Sequence, residues 1–401
     1  MKPRILIAMH YLELGGAEAA LIGLLHAIDY QQVDVDLFLY DQRGELMRYI
    51  PRQVNLLSAI PAYTMLERPI VELVRSGFWR LAAARLWAKV ITRMAKHKNT
   101  KHLDDATCFF NMSRYTTPLL PLINANVEYD VAISFLTPHH IVSDKVRAKK
   151  KLAWIHTDYT NIFVEAEKEL PMWLKYDGIA AISAEAKDKF ISVFPTLASK
   201  IFICENVLPV SMIRDRADEF VPQEMPLQKD EMCMLSIGRY SNPKRFDEVP
   251  LICKRLMSLL PEHNIRWYII GYGADEALIR QRIAESEMQD HVILLGKRDN
   301  PYPYIKACDL YIQPSRYEGK SITVREAQIL CKPVVITDYP TAKSQVINGV
   351  DGVIVPMPIE ACAEGIGEVL RDEVLRKRLC SYLQSHDYGN MTEVEKIHSL
   401  L

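Results

Sequence analysis

The chain has no C-x-x-C pair, no long apolar run and no excess of charge of either sign. Each absence excludes a class of protein. Eight cysteines are scattered through 401 residues, several of them in apolar runs such as Cys204 in KIFICEN. Reduced core thiols are therefore expected, not a disulfide framework or a cysteine metal site. No stretch approaches the roughly 20 consecutive apolar residues of a membrane span. KPRILIAMHYLELGG leads from a short apolar segment straight into a glycine turn, with no small-residue cleavage site. A signal peptide is not expected, and the location indicated is cytoplasmic. With 25% charged residues and a formal net charge of −1, the bulk charge gives no reason to expect nucleic acid as a partner.

What is present is an alternation of short apolar strands with longer amphipathic stretches, the pattern of an α/β protein with parallel sheets. RILIAMH (4–10), VDVDLFLY (33–40), YDVAISF (129–135), KLAWIHT (151–157), GIAAIS (178–183) and KIFICEN (200–206) form a first strand series. Residues 207–231 mix proline, acid and base with little periodicity and suit an interdomain linker. A second series follows: MCMLSIGRY (232–240), NIRWYIIGYG (264–273), HVILLGK (291–297), CDLYIQPS (308–315) and KPVVITD (332–338). The expectation is two Rossmann-like doubly wound domains, 1–207 and 208–385, with a ligand cleft at the C-terminal ends of their strands.

Residues 73–103 carry eight Lys or Arg side chains and no acid. At about 100° per residue, Trp79, Ala83, Leu86, Trp87, Val90, Ile91 and Met94 share one arc. Arg75, Arg85, Lys89, Arg93 and Lys96 share another. Two readings are open: an interfacial helix drawn to anionic lipid, or a basic helix whose apolar face packs on its own domain.

The chemistry-bearing motifs cluster at strand ends. Gly15-Gly16 precede a helix, where small residues let backbone approach a phosphate. Arg239 and Lys244 lie five apart on a loop, and Asn242-Pro243 supports a turn bringing them together to straddle a diphosphate. Gly271 and Gly273 imitate a dinucleotide fingerprint, but Glu276 replaces its third glycine, so a tight turn is expected there. In SRYEGKSITVREAQIL (315–330) a turn at Gly319 starts a helix, leaving the N–H groups of Lys320 to Thr323 unpaired for an anion. Glu318 lies before that helix and Glu326 inside it, too far apart along the axis for a shared proton. They suit hydroxyls at the two ends of a polyol-diphosphate ligand. His156 ends an apolar strand on the side where ligands bind. The acids of DVD (34–36) imitate a metal motif, but alternation explains them as a half-exposed strand, and no metal site is expected.

Taken together, GGAE (15–18), WIHTD (154–158), ICENV (203–207), IGRYSNPKRFD (237–247), IIGYG (269–273), residues 296–327 and INGVDGVIVP (347–356) give a chain that resembles the family 4 glycosyltransferases of the GT-B fold. The likeness is strongest to bacterial enzymes of capsular and other surface polysaccharides. The resemblance implies retaining, metal-independent transfer of a hexosyl group from a nucleotide-sugar to a glycan or lipid-linked acceptor. A UDP-sugar is favoured over a GDP-sugar, and no separate cofactor is implied. Arg239 and Lys244 would neutralise the donor diphosphate, and Glu326 would accept from the ribose. Glu318, Gly319, Lys320 and Ser321 would hold the transferred sugar. The amides of Ser321, Ile322 and Thr323 would face the phosphates. His156 would approach the sugar, Gly15-Gly16 would close over the diphosphate, and backbone near Lys297-Arg298 would meet the base. The leaving phosphate would take the acceptor's proton on the same face, so no dedicated nucleophile is needed. A terminal helix, about 386–401, would return to the first domain, and the enzyme would work peripherally on the inner face of the plasma membrane. Lys320 and Ser321 replace the family's usual aromatic and proline, and Arg245 replaces its usual Gly or Asn. The other classes are a GT-B nucleotide-sugar epimerase and a non-catalytic partner of another transferase.

Overall fold

A computed structural model describes residues 2–96, 99, 104–225 and 231–399. Lys98 and Lys101 of the basic segment, 226–230 of the linker and the last two residues lie outside these. The chain divides into two compact units, residues 1–207 with 390–401 and residues 208–389.

The first unit is built on strands β1 (Arg4–Met9), β2 (Asp34–Leu39), β3 (Asn55–Leu56), β5 (Tyr129–Ser134), β6 (Ala148–Ile155), β8 (Gly178–Ala181) and β9 (Ile201–Ile203), with β4 (Asp104–Asp105) and β7 (Ile162–Phe163) forming a separate pair. The seven-stranded sheet has the order β3-β2-β1-β5-β6-β8-β9, and every pairing in it is parallel. Central strands buried on both faces read as continuous apolar runs, as in ILIAM of β1. Residues 390–399 close onto this unit: the Glu205 amide donates to Glu393 Oε2 at 2.8 Å, and Asn390 Nδ2 donates to the Asn206 carbonyl at 2.9 Å.

The second unit holds β10 (Glu231–Ile237), β11 (Asn264–Ile270), β12 (Val292–Gly296), β13 (Leu310–Gln313), β14 (Val334–Thr337) and β15 (Val353–Val355). Its order is β12-β11-β10-β13-β14-β15, again all parallel. Both sheets therefore reverse direction of winding beside their first strand, between β1 and β5 and between β10 and β13. Loops leaving the C-terminal ends of those strands diverge there and leave a crevice.

Three expectations need correction. The stretch 207–231 is not wholly irregular, because Val210–Ala217 is a helix with Ile213, Arg216 and Ala217 buried in the second unit. Eight residues between prolines are too few for a visible period. Within DVD only Asp34 is exposed. Asp36 is 1% exposed and meets Arg4 at 2.9 Å and the Tyr129 hydroxyl at 2.5 Å, so it is a satisfied buried carboxylate. The basic segment is two helices, Ile70–Arg75 and Trp79–Lys96, so Arg75 shares no face with the rest. Arg85 turns inward to the carbonyls of Met65 and Arg68 at 3.0 and 2.5 Å. No helix among the described residues is long and apolar enough to cross a membrane.

Candidate functional site

At the end of β10 the loop bearing Arg239 is held against the end of β11 chiefly by backbone, with the Tyr240 hydroxyl donating to Ile269 O at 3.3 Å. The Gly238 amide donates to Ile270 O at 3.0 Å and the Tyr240 amide to Tyr272 O at 2.8 Å. That approach explains both glycines of IIGYG: a Cβ on Gly271 would lie 1.9 Å from the Gly238 carbonyl oxygen, and one on Gly273 would lie 2.3 Å from that of Tyr240. Gly271→Ala must push the two loops apart. It is expected to lower unfolding free energy by about 2–3 kcal/mol in a denaturant titration.

Residues Asn242–Lys244 form one 3-10 turn, after which Arg245 takes φ +60°. Glycine or asparagine would take this left-handed position with less strain. Arginine, at a cost of about 1–2 kcal/mol, is held by Glu248 at 2.5 Å with its side chain buried. The turn is also clamped from below. Arg316 donates to both oxygens of Asp247 at 2.8 Å, to Glu248 at 2.5 Å and to the Asn242 carbonyl at 2.7 Å, while its own amide donates to Pro243 O at 2.8 Å. Arg316 is a positioning residue that joins the loop of Lys244 to the loop of Glu318. The acid pair Asp247-Glu248 was its only trace in the sequence.

Lys244 meets Glu318 directly, Nζ to Oε1 at 2.5 Å. Glu318 is 8% exposed and terminates a buried polar chain. Tyr311 Oη donates to Gln313 Oε1 at 2.8 Å, Gln313 Nε2 to Ser315 Oγ at 2.9 Å, and Ser315 Oγ to Glu318 Oε1 at 2.6 Å. Sequence reasoning missed Gln313 and Ser315, which look like strand-end filler. The chain fixes the rotamer of Glu318 and leaves its charge balanced by Lys244.

Gly319 is exposed and Lys320 half-buried, and the helix Ile322–Ile329 begins just beyond them. The expected run of unpaired amides is shorter than the sequence suggested. Ser321 N–H donates to Gln345 Oε1 at 3.0 Å, and Gln345 Nε2 returns to the Ser321 carbonyl at 2.5 Å. Among the described residues the first-turn amides of Ile322 and Thr323 remain without a partner at the helix start. Inside the helix Glu326 is 5% exposed and accepts from Tyr302 Oη at 2.8 Å. Burial raises its pKa, partly offset by the Tyr302 hydrogen bond and Arg216, whose guanidinium lies 4.8 Å from the centre of the Tyr302 ring.

Lys297 and Arg298 follow β12. Lys297 Nζ lies 5.3 Å from the centre of the Tyr272 ring, which is 43% exposed. Arg298 is engaged with Tyr304 Oη and Glu224, both at 2.9 Å. Arg239 is exposed, with no ion pair among the described residues. The second unit thus brings Arg239, Lys244, Glu318, Gly319, Lys320, Ser321, Ile322 and Thr323 to the crevice between β10 and β13. Glu326, Lys297 and Arg298 lie on elements adjoining it.

In the first unit Gly15 caps the helix Gly16–Ala27, and a Cβ there would lie 2.1 Å from Glu18 Oε2, so the carboxylate folds over the glycine. His156 follows β6, beside Phe135 and Trp154 at ring-centre distances of 4.9 and 6.2 Å. Its Nε2 is buried without a hydrogen-bond partner, and burial depresses its pKa to about 4. It lines a cavity of about 200 Å³ with His139, His140, Trp154, Glu169 and Trp173. The indole N–H of Trp154 is also unpartnered, whereas that of Trp173 is directed at the Glu169 carboxyl. Among the described residues no three His, Cys, Asp or Glu side chains gather as a metal site would require.

Residues 218–386 match the family model described as Glycosyl transferases group 1. An uncharacterised glycosyltransferase of Methanocaldococcus jannaschii is 28% identical over 191 residues, 47% of this chain and 46% of that one. The N-acetylgalactosamine-N,N'-diacetylbacillosaminyl-diphospho-undecaprenol 4-alpha-N-acetylgalactosaminyltransferase of Campylobacter jejuni is 25% identical over 208 residues, 51% and 54% of the two chains. The chain spans about half the length of these curated relatives. Among solved structures, Anabaena HepE in complex with UDP superimposes with TM-score 0.64 at 16% identity, covering 100% of this chain and 99% of that one. Staphylococcus aureus TarM, in complex with Fondaparinux, alpha-GlcNAc-glycerol and UDP, does so with TM-score 0.67 at 14% identity and the same coverages. The two Rossmann-like α/β domains have the GT-B fold.

Proposed function

We propose that the chain is a retaining, metal-independent glycosyltransferase that moves a hexosyl group from a UDP-sugar to a lipid-linked glycan in surface-polysaccharide assembly. The observation that carries this reading is the Lys244–Glu318 pair at the crevice of the second sheet, beside the free first-turn amides of Ile322 and Thr323. A diphosphate placed there would meet Lys244 and two amide dipoles, held in place before it arrives, and the exposed Arg239. Preorganised positive charge of this kind favours departure of the nucleotide, where negative charge grows. Glu318 then has oxygens for hydroxyls of the transferred sugar, and Glu326 for the ribose. The exposed Tyr272 face and the backbone at Lys297-Arg298 suit a planar base. Gly15-Gly16 would cover the diphosphate, and His156 would meet the sugar with a neutral imidazole. The name of the Campylobacter relative specifies an undecaprenyl diphosphate-linked acceptor and an alpha linkage, and that of the Anabaena structure specifies UDP; both support the substrates chosen.

A thermal-shift screen of UDP- and GDP-sugars tests the donor, with EDTA present to test metal independence. A UDP-sugar should raise the midpoint, and Glu326→Ala should weaken nucleoside diphosphate binding about 10-fold, the effect of losing hydrogen bonds to a charged acceptor. Unchanged affinity in that variant would remove the ribose role.

A further inference from the structure

We infer that the helix Trp79–Lys96 is a docking surface for an anionic lipid bilayer. The helix has two apolar faces, and the unit buries the one made of small side chains. Leu81, Ala82, Ala88 and Ala95 are at most 3% exposed. On the opposite side Trp79, Leu86, Trp87, Val90 and Met94 are 63, 53, 54, 48 and 64% exposed. A helix that merely packed on its own domain would bury the tryptophans and expose the alanines. Here the large side chains form a ridge facing solvent, and such a ridge marks an interaction surface.

Charge selects the occupant. Exposed Arg80 borders the ridge on one side, and exposed Lys89 and Arg93 on the other. Neither this helix nor the helix Thr107–Thr116 packed against it contains an acid; the nearest in sequence are Asp104 and Asp105, just before the second of them, and Glu72 on the helix that precedes the first. Indole rings at the headgroup level with cations beside them match an anionic membrane surface. A second copy of the chain fits poorly, since a two-fold contact would set Arg80, Lys89 and Arg93 against their own like charges. Phe109, 48% exposed on the packed helix, also lines the cavity that holds His156. If the acceptor is lipid-linked, as the proposed function holds, docking brings that cavity to its substrate, but the surface itself is argued from these side chains alone.

Tryptophan fluorescence provides a direct test. Trp154, Trp173 and Trp267 are buried, so a blue shift on adding vesicles reports Trp79 and Trp87. The full chain should shift with phosphatidylcholine vesicles containing phosphatidylglycerol, sediment with them, and do neither with phosphatidylcholine alone. Arg80→Glu/Lys89→Glu/Arg93→Glu should lose about 100-fold or more in vesicle affinity with its melting midpoint unchanged. Trp79→Phe/Trp87→Phe should lose the blue shift yet still sediment, because the apolar ridge persists. Failure to bind anionic vesicles, or equal binding of the charge-reversed variant, overturns the inference. So does a dimer that dissociates on charge reversal without vesicle binding, which would assign the ridge to a second copy. Loss of transfer with vesicle binding retained would instead count against the proposed function.

Discussion

Lys244→Ala should lower kcat/KM for sugar transfer by about 10²–10³-fold, more than Arg239→Ala, with most of the loss in kcat. The magnitude is that of removing one preorganised donor from a developing negative charge, roughly 3–4 kcal/mol. Two effects combine at Lys244. Its ammonium would face the diphosphate of the proposed donor, and it also balances Glu318, a carboxylate only 8% exposed. Without it Glu318 keeps the Ser315 hydroxyl but no cation, so a diphosphate would enter beside an uncompensated negative charge. Arg239 is exposed and its removal strands no partner, so only its own attraction is lost. Substitutions at the two residues should therefore be non-additive. Lys244→Met/Glu318→Gln should lose less than the sum of the single variants, because the double change leaves no buried charge unpaired. Steady-state kinetics on four proteins decide it. Strict additivity would mean the pair does not act as one unit.

The parts of this site legible in sequence were those written in local pattern. Apolar runs spaced by amphipathic stretches placed the strands, and a glycine turn before an apolar period placed the helix behind Glu318. What stayed hidden depended on partners distant along the chain. Lys244 and Glu318 are 74 residues apart, as are Arg316 and Asn242, and no periodicity links either pair. Gln345 reaches Ser321 across 24 residues and removes an amide that looked free. Arg245 is a different case. Nothing in the residues around it shows a left-handed turn, which only the backbone angle reveals. In the helix Trp79–Lys96 hydrophobicity marked one arc and left two readings open, and only the fold could show that Leu81, Ala82, Ala88 and Ala95 are the side chains buried. Arg85 misled because charge was taken as exposure, whereas its guanidinium satisfies two carbonyls inside the unit.

The cavity of the first unit should make that unit most stable near pH 6.5. Burial depresses the pKa of His139 to about 3 and those of His140 and His156 to about 4, against an ordinary 6.5, and raises that of Glu169 from 4.5 to about 8. As pH falls below 6.5 the unfolded chain protonates three imidazoles that the folded unit keeps neutral, and stability falls. Glu169 acts in the opposite sense, since between pH 4.5 and 8 the folded unit holds a proton that the unfolded chain has released. The net is two protons taken up on unfolding between pH 6.5 and 4.5, a loss of about 3 kcal/mol per pH unit. Above 6.5 only Glu169 contributes, and stability should decline by about 1 kcal/mol per unit up to pH 8. Four of the five tryptophans belong to the first unit, so fluorescence in denaturant titrations follows it. Glu169→Gln should abolish the alkaline decline and leave the acid limb. A profile flat from pH 6.5 to 4.5 would show that these imidazoles are not held neutral.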